Sequence, residues 1–178
     1  LRRARAATLL MLALPGSSYV YQGEELGLPE VADLPFEVLQ DPIWEQTGRV
    51  RKGRDGCRVP LPWTTTGPSY GFGAGGSWLP QPSGFAAYAV EAQDGVEGST
   101  LELYRRALRL RRKLLDGEEL TWEPDTPPGV LHFARSAGWR CVANLSGTPV
   151  ELPPGEVLLA SGPLAGGLLG PDTTVWLA

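Results

Sequence analysis

Apolar and polar positions follow different periods in different parts of this chain. Residues 2–14 (RRARAATLLMLAL) draw on the strong helix formers Ala, Leu, Met and Arg, and Pro15-Gly16 stops the run, which predicts a first helix. Ser18-Tyr-Val-Tyr21 is a short β-prone stretch that hands over at Gly23-Glu-Glu-Leu-Gly27. A helix, a turn and a short buried strand leading into a loop is the αβ step of a parallel α/β protein. From residue 29 to about residue 98 no period persists, well past the roughly 12–15 residues at which a structureless loop becomes unusual. Such a segment is disordered or functional, and the interleaved Trp44, Trp63, Trp78 and Phe85 favour function. Short ordered pieces are expected at residues 36–40 and 85–93.

Ser99 and Thr100 are N-cap candidates, with Glu102 in the first turn of a helix over residues 101–115. Leu101, Tyr104, Leu108 and Leu115 can share one face, with Leu103, Ala107, Leu110 and Leu114 beside them. Arg105, Arg106, Arg109, Arg111, Arg112 and Lys113 read as the solvated face, and Asp116-Gly117 ends the helix. The texture then changes to short β-like runs at 120–122, 130–134, 140–144, 150–152, 157–160 and 174–177, each bounded by Gly, Pro or Asp. That spacing predicts a small antiparallel sandwich. The expected organisation is an α/β portion over residues 1–117 and a β domain over 118–178.

Composition narrows the function classes. A hydrophobic content of 42% and a charged content of 20% over 178 residues suit a soluble globular protein with a sizeable core. The net charge of −4 argues against a nucleic-acid partner, since phosphate contacts need a basic surface. Glycine and proline, 23 and 17 residues, concentrate at 53–84 and 147–171 and predict long loops with tight turns. The longest apolar run, residues 6–14, is too short to span a bilayer, so no membrane partner is expected. Cys57 and Cys141 are expected as reduced thiols, and the expected location is the cytoplasm. Because the chain opens at Leu1 without an initiator Met, its first residues are silent on any leader.

Chemistry is sparse. The one histidine, His132, lies in Val130-Leu-His-Phe-Ala134 and reads as a satisfied sheet residue rather than a general base. Neither cysteine has metal-ligand spacing, and Gly71-Phe-Gly-Ala-Gly-Gly76 lacks the helix start and Lys-Ser/Thr of a phosphate cradle. No cofactor or metal is implied. Asn144-Leu145-Ser146 fits the N-glycosylation pattern formally. A glycosidase needs two carboxyl groups facing one another across the scissile bond. Glu24 and Glu25, adjacent on an extended backbone, would point apart, and nothing pairs either with Asp55. No catalytic residue is assigned.

Several segments nevertheless resemble one family. Leu14-Pro-Gly-Ser-Ser-Tyr-Val-Tyr-Gln-Gly-Glu-Glu-Leu-Gly27 is similar to the eighth barrel strand of the α-amylase superfamily, glycoside hydrolase family 13. Gly53-Arg-Asp-Gly-Cys-Arg-Val-Pro-Leu-Pro-Trp63 resembles the Arg-Asp-x-x-Arg-x-Pro-Met-x-Trp segment of oligo-1,6-glucosidases and α-glucosidases. Trp78-Leu-Pro80 and the helix Leu103-Tyr-Arg-Arg-Ala-Leu-Arg-Leu-Arg-Arg112 match as well. Asp41-Pro-Ile-Trp-Glu45 and the Asp-Gly-Cys-Arg form are especially like actinobacterial α-glucosidases. Ser18 departs from the family, which often has Pro there. The resemblance covers residues 1–115; the β domain matches by position only.

The resemblance implies the end of a (β/α)8 barrel (seventh helix, eighth strand, long final βα loop, eighth helix) followed by a β-sandwich. It implies a retaining α-glucosidase acting on terminal α-linked glucose of short oligosaccharides, with nucleophile, acid/base and stabilising carboxylates on earlier strands outside this chain. The fragment alone is expected to be inactive. Arg54 is the residue implied to touch sugar, through forked hydrogen bonds. Gln22, Glu24, Asp55 and Arg58 are expected to support the pocket, and Trp63 to be structural. Rival expectations are a trehalose synthase-type isomerase and a non-catalytic carbohydrate-associated β module. Oligomeric state is not legible.

Overall fold

A computed structural model describes residues 1–114, 117–136 and 138–178. The chain divides into two compact units, one made of residues 1–20 with 102–178 and the other of residues 21–101.

In the first unit, helix α1 (Arg2–Ala13) packs on a five-stranded antiparallel sheet in the order β1-β2-β3-β7-β5. Its strands are β1 (Leu120–Trp122), β2 (Val130–Arg135), β3 (Arg140–Asn144), β5 (Val157–Ala160) and β7 (Thr173–Leu177). Period-two alternation gives the sheet two apolar faces. Phe133, Cys141, Leu159 and Trp176 meet Leu9, Leu12 and Ala13 of α1 and Leu103 and Ala107 of the later helix α4 (Thr100–Leu114). Val130, Val142, Val175 and Leu177 turn the other way, towards the two-stranded sheet of β4 (Val150–Glu151) and β6 (Leu168–Leu169), with Leu169 buried among them. This is the small antiparallel sandwich expected, and six of its seven strands fall where the β-like runs were read.

Side chains on β7 fasten α1 to the sheet. Thr174 Oγ1 donates to the Ala6 carbonyl at 2.9 Å and Trp176 Nε1 to the Leu9 carbonyl at 3.1 Å. Trp139 lies against Trp176 with ring centroids 5.1 Å apart and donates its Nε1 to the Leu114 carbonyl. Arg111 reaches back to the end of α1, donating to the Leu14 carbonyl at 2.9 Å, to that of Gly16 at 2.6 Å, and to that of Leu12. The Leu12 carbonyl is one that a helix C-terminus leaves without a partner, and those of Leu14 and Gly16 belong to the cap and turn that follow.

In the second unit no strand forms among the described residues. Val31, Leu34, Val59, Leu79 and Phe85 make a small core for a chain that otherwise turns through short helical pieces. These include α2 (Ile43–Gln46) and α3 (Val90–Gln93), with single 3₁₀ turns at Phe36–Val38 and Asp55–Cys57. Phe36 stacks on Trp44 at 5.1 Å. Gln93, buried, donates to the carbonyls of Leu26 and Tyr88, and its amide oxygen accepts the Leu101 N–H at 3.1 Å. Gln93, whose own carbonyl accepts the Ser99 hydroxyl at 2.9 Å, thus serves the first turn of α4.

The structure corrects several expectations. Residues 18–21 form no strand, and Tyr19 is 86% exposed, because an extended segment becomes a strand only beside a neighbour that takes its backbone groups. Glu24 and Glu25 lie in a 3₁₀ turn, not on extended backbone, and Glu25 accepts the Gly23 N–H. Leu108 is 41% exposed, so the buried stripe of α4 runs through Leu103, Tyr104 and Ala107 instead; Leu115 lies outside the described residues. Arg111 leaves the solvated face for the end of α1, whereas Arg106, Arg109, Arg112 and Lys113 stay exposed. Asn144 is fully buried, with its amide donating to the carbonyls of Thr148 and Leu169, which removes it as a glycosylation acceptor in the folded chain.

Candidate active-site wall

The five residues singled out from the sequence fall into two groups on either side of the turn at residues 53–58. Asp55, Arg58 and Arg54 gather around Asp41. Gln22 and Glu24, both exposed, line a separate cleft of ≈ 210 Å³ together with Gly56, Cys57, Leu61 and Phe85.

The first group is built from local backbone. Asp55 is buried, and its Oδ2 accepts the N–H groups of Gln40 at 2.6 Å and Asp41 at 2.8 Å, which holds residues 40–41 against the turn. Asp41 then closes an Asx turn, with Oδ1 accepting the Ile43 N–H at 3.1 Å. Its Oδ2 accepts both the Arg54 N–H and Arg58 Nη1, each at 3.0 Å. The hydrogen bond from the Ile43 N–H, then that from the Arg54 N–H, hold the Asp41 carboxyl below its ordinary pKa; partial desolvation opposes them, and the Arg58 and Arg54 charges add to the lowering. Gly53 is required here. It sits at φ +77°, and a Cβ on it would stand 2.5 Å from Asp41 Cγ and from Ile43 Cγ2.

Arg58 spans the two carboxylates, 3.0 Å from Asp41 and 3.8 Å from Asp55. Arg54 is different. Its backbone is pinned by Asp41, but its side chain is 77% exposed and its Nε is 3.8 Å from Asp41 Oδ2, so the guanidinium keeps its donors for something else. It does not touch Asp55. A cleft of ≈ 620 Å³ opens beside it. Sequence reasoning placed Asp55 and Arg58 here but passed over Asp41, the residue that joins them. The Asp-Pro pair at 41–42, a turn initiator, was the signal available.

Elsewhere the titratable groups are structural. His132 sits in β2 opposite Val142, and burial lowers its pKa first, with Glu123 opposing and Arg140 adding to the lowering. Its Nε2 is buried without a hydrogen-bond partner among the described residues, so it is a sheet histidine but not a satisfied one. Both cysteines are free; Cys57 is exposed, and burial pushes the Cys141 thiol up. Among the described residues no three His, Cys, Asp or Glu are placed to hold a metal ion, and no helix is long and apolar enough to cross a membrane.

Two family profiles match the chain: one described as "Alpha amylase, catalytic domain" over residues 1–117, and "Domain of unknown function (DUF3459)" over residues 126–176. A "Probable alpha-glucosidase" of Rhizobium meliloti is 40% identical over 149 residues, covering 80% of this chain and 26% of its own length. A "Glucan 1,6-alpha-glucosidase" of Streptococcus pneumoniae is 28% identical over 178 residues, covering 85% of this chain and 32% of its own. Among solved structures, that of "alpha-glucosyl transfer enzyme, XgtA" superposes with a TM-score of 0.76 at 36% identity, over 99% of this chain and 36% of that one. The architecture is thus the closing portion of a (β/α)8 barrel followed by an antiparallel β-sandwich. The chain belongs to the α-amylase family. It spans about a quarter to a third of the length of these curated relatives.

Proposed function

We propose that this chain is the C-terminal portion of a retaining α-glucosidase that removes terminal α-linked glucose from short oligosaccharides. The observation that carries the reading is Arg54, a guanidinium pinned through its backbone N–H by Asp41 yet left without a close side-chain partner. A forked, charged donor on a rigid turn suits a sugar hydroxyl and a neighbouring carboxylate. Asp55 and Arg58 hold that turn, and Gln22 and Glu24 support the rim of the neighbouring cleft. The nucleophile, the acid/base and the stabilising carboxylate come from sequence outside this chain. The barrel portion takes in residues 1–117 and the β domain 118–178. The reduced state of both cysteines suits the cytoplasm.

In a longer protein containing this chain, Arg54→Ala should lower kcat/KM for a nitrophenyl α-glucoside by about a hundredfold, as expected on losing a charge-assisted pair. Its thermal midpoint should stay within a degree or two, about what an exposed surface change gives. Equal loss of activity and stability would make Arg54 a structural brace. The 178-residue chain alone should not turn the substrate over. A second reading is transfer of glucose to a sugar acceptor, favoured by the 36% identity to the α-glucosyl transfer enzyme. Product analysis with maltose separates the two, free glucose marking hydrolysis and new disaccharides marking transfer or isomerisation.

A further inference from the structure

The ≈ 620 Å³ cleft beside Arg54 has an unbalanced lining: four cationic side chains, Arg51, Lys52, Arg54 and Arg58, and one carboxylate, Asp41. That carboxylate is already engaged, with the Ile43 N–H on one oxygen and the Arg54 N–H and Arg58 on the other. Lys52 is held in place, donating to the Ala32 carbonyl at 2.7 Å and standing 5.2 Å over the Phe36 ring, but neither contact offsets its charge with an anion. Arg51 spends only its backbone N–H, on Thr47 Oγ1; its guanidinium has no hydrogen bond or ion pair among the described residues. The lining thus carries two guanidinium forks, Arg51 and Arg54, and the Lys52 charge, against a single carboxylate, Asp41, that Arg58 and, at 3.8 Å, Arg54 already share.

Neutral hydroxyls can occupy such donors but leave the charge uncompensated. A phosphoryl group carries close to two negative charges and three acceptor oxygens, and it matches the guanidinium fork in two-point contact. We infer that this cleft is an anion subsite for a phosphoryl group, with Arg51 and Arg54 as its forks and Lys52 as a fixed positive charge. The inference rests on the reading of Arg54 as a sugar-pocket residue for its ligand class: glucose carrying a phosphate, or free phosphate beside it. Because the cleft is open, binding is salt-sensitive, with charges screened over about 8 Å at physiological ionic strength.

The test titrates the 178-residue chain with inorganic phosphate, glucose 6-phosphate and glucose, read by calorimetry and by tryptophan fluorescence, since Trp44 lies in α2, which borders the cleft. Saturable binding of both phosphates is expected, weakening as salt rises from about 50 to about 500 mM, with no response to glucose. Arg51→Ala should weaken phosphate binding by about tenfold, and Arg51→Lys should recover part of the loss. Among the described residues the Arg51 guanidinium has no partner, so Arg51→Ala should fold as the parent does, which circular dichroism checks. Tighter binding of glucose 6-phosphate than of phosphate identifies a phosphorylated sugar; equal binding identifies the free anion. Absence of saturation, or unchanged binding in Arg51→Ala, overturns the inference. Failure of the longer protein to cleave a neutral nitrophenyl α-glucoside would instead overturn the glucosidase reading, leaving phosphate binding intact.

Discussion

Asn144 offers the most direct test of how the sandwich is held. It lies at the end of β3, fully buried, and all of its polar capacity is in use. Nδ2 donates to the Thr148 carbonyl at 2.8 Å and to that of Leu169 at 2.9 Å; Oδ1 accepts the Ser146 N–H at 3.0 Å and the Ser146 hydroxyl at 2.6 Å. The side chain thus ties the β3–β4 turn to β6 of the opposite sheet. Asn144→Ala removes all four bonds. The Thr148 carbonyl keeps the Ser146 hydroxyl at 3.0 Å, which softens one of the losses. With about 1 kcal/mol for each of two or three net losses in a dry site, the cost is about 2–3 kcal/mol. For a chain of this size that lowers the thermal midpoint by roughly 4–12 °C. Near-ultraviolet circular dichroism of the melting chain reads the shift. Asn144→Asp should cost at least as much at neutral pH, since it keeps the acceptors and loses both donors while burying a charge. A midpoint within a degree or two of the parent in Asn144→Ala would show that these bonds are no better than those with water.

Burial holds the His132 pKa below the ordinary 6.5, so the unfolded chain binds its proton more readily than the folded one. Its contribution to stability is therefore complete above that value and lost as pH falls below it; urea midpoints from pH 8 to pH 5 should show the decline, and His132→Phe should flatten it. Cys57 should react with a disulfide reagent at once and Cys141 only after unfolding; equal rates would contradict the buried Cys141. Arg111→Met should destabilise the chain by about 1–3 kcal/mol, because carbonyls at the end of α1 lose a charged donor; a neutral result in urea unfolding would return Arg111 to the solvated face.

What could be read from the sequence depended on how local its cause was. Helix α4 and six of the sandwich strands carry their own signals: Glu102 in a first turn, a stripe of leucines, and alternation between Gly and Pro boundaries. The two-residue β6 carries none, since Leu168 and Leu169 pair with Val150 and Glu151 only because the larger sheet positions them. The run at residues 18–21 has the composition of a strand and lacks a partner to make it one. Leu108 shows the limit of periodicity, which fixes the spacing of an apolar stripe but not which neighbouring stripe a sheet will cover. Arg54, Asp55 and Arg58 were legible as a motif, whereas Asp41 acquires its role from two bonds donated to Asp55 across 14 and 15 residues of loop.

The two bonds from β7 to α1 bear on the order in which the chain can fold. Thr174 and Trp176 meet Ala6 and Leu9 across sequence separations of 168 and 167 residues. Helix α1 is made before β7, and its apolar face then waits through that separation of 167 residues before Trp176 can cover it. Contacts this distant form late and slowly, and they leave hydrophobic surface open in the interval. Within this unit, then, the apolar face of α1 stays open until Thr174 and Trp176 arrive to fasten it.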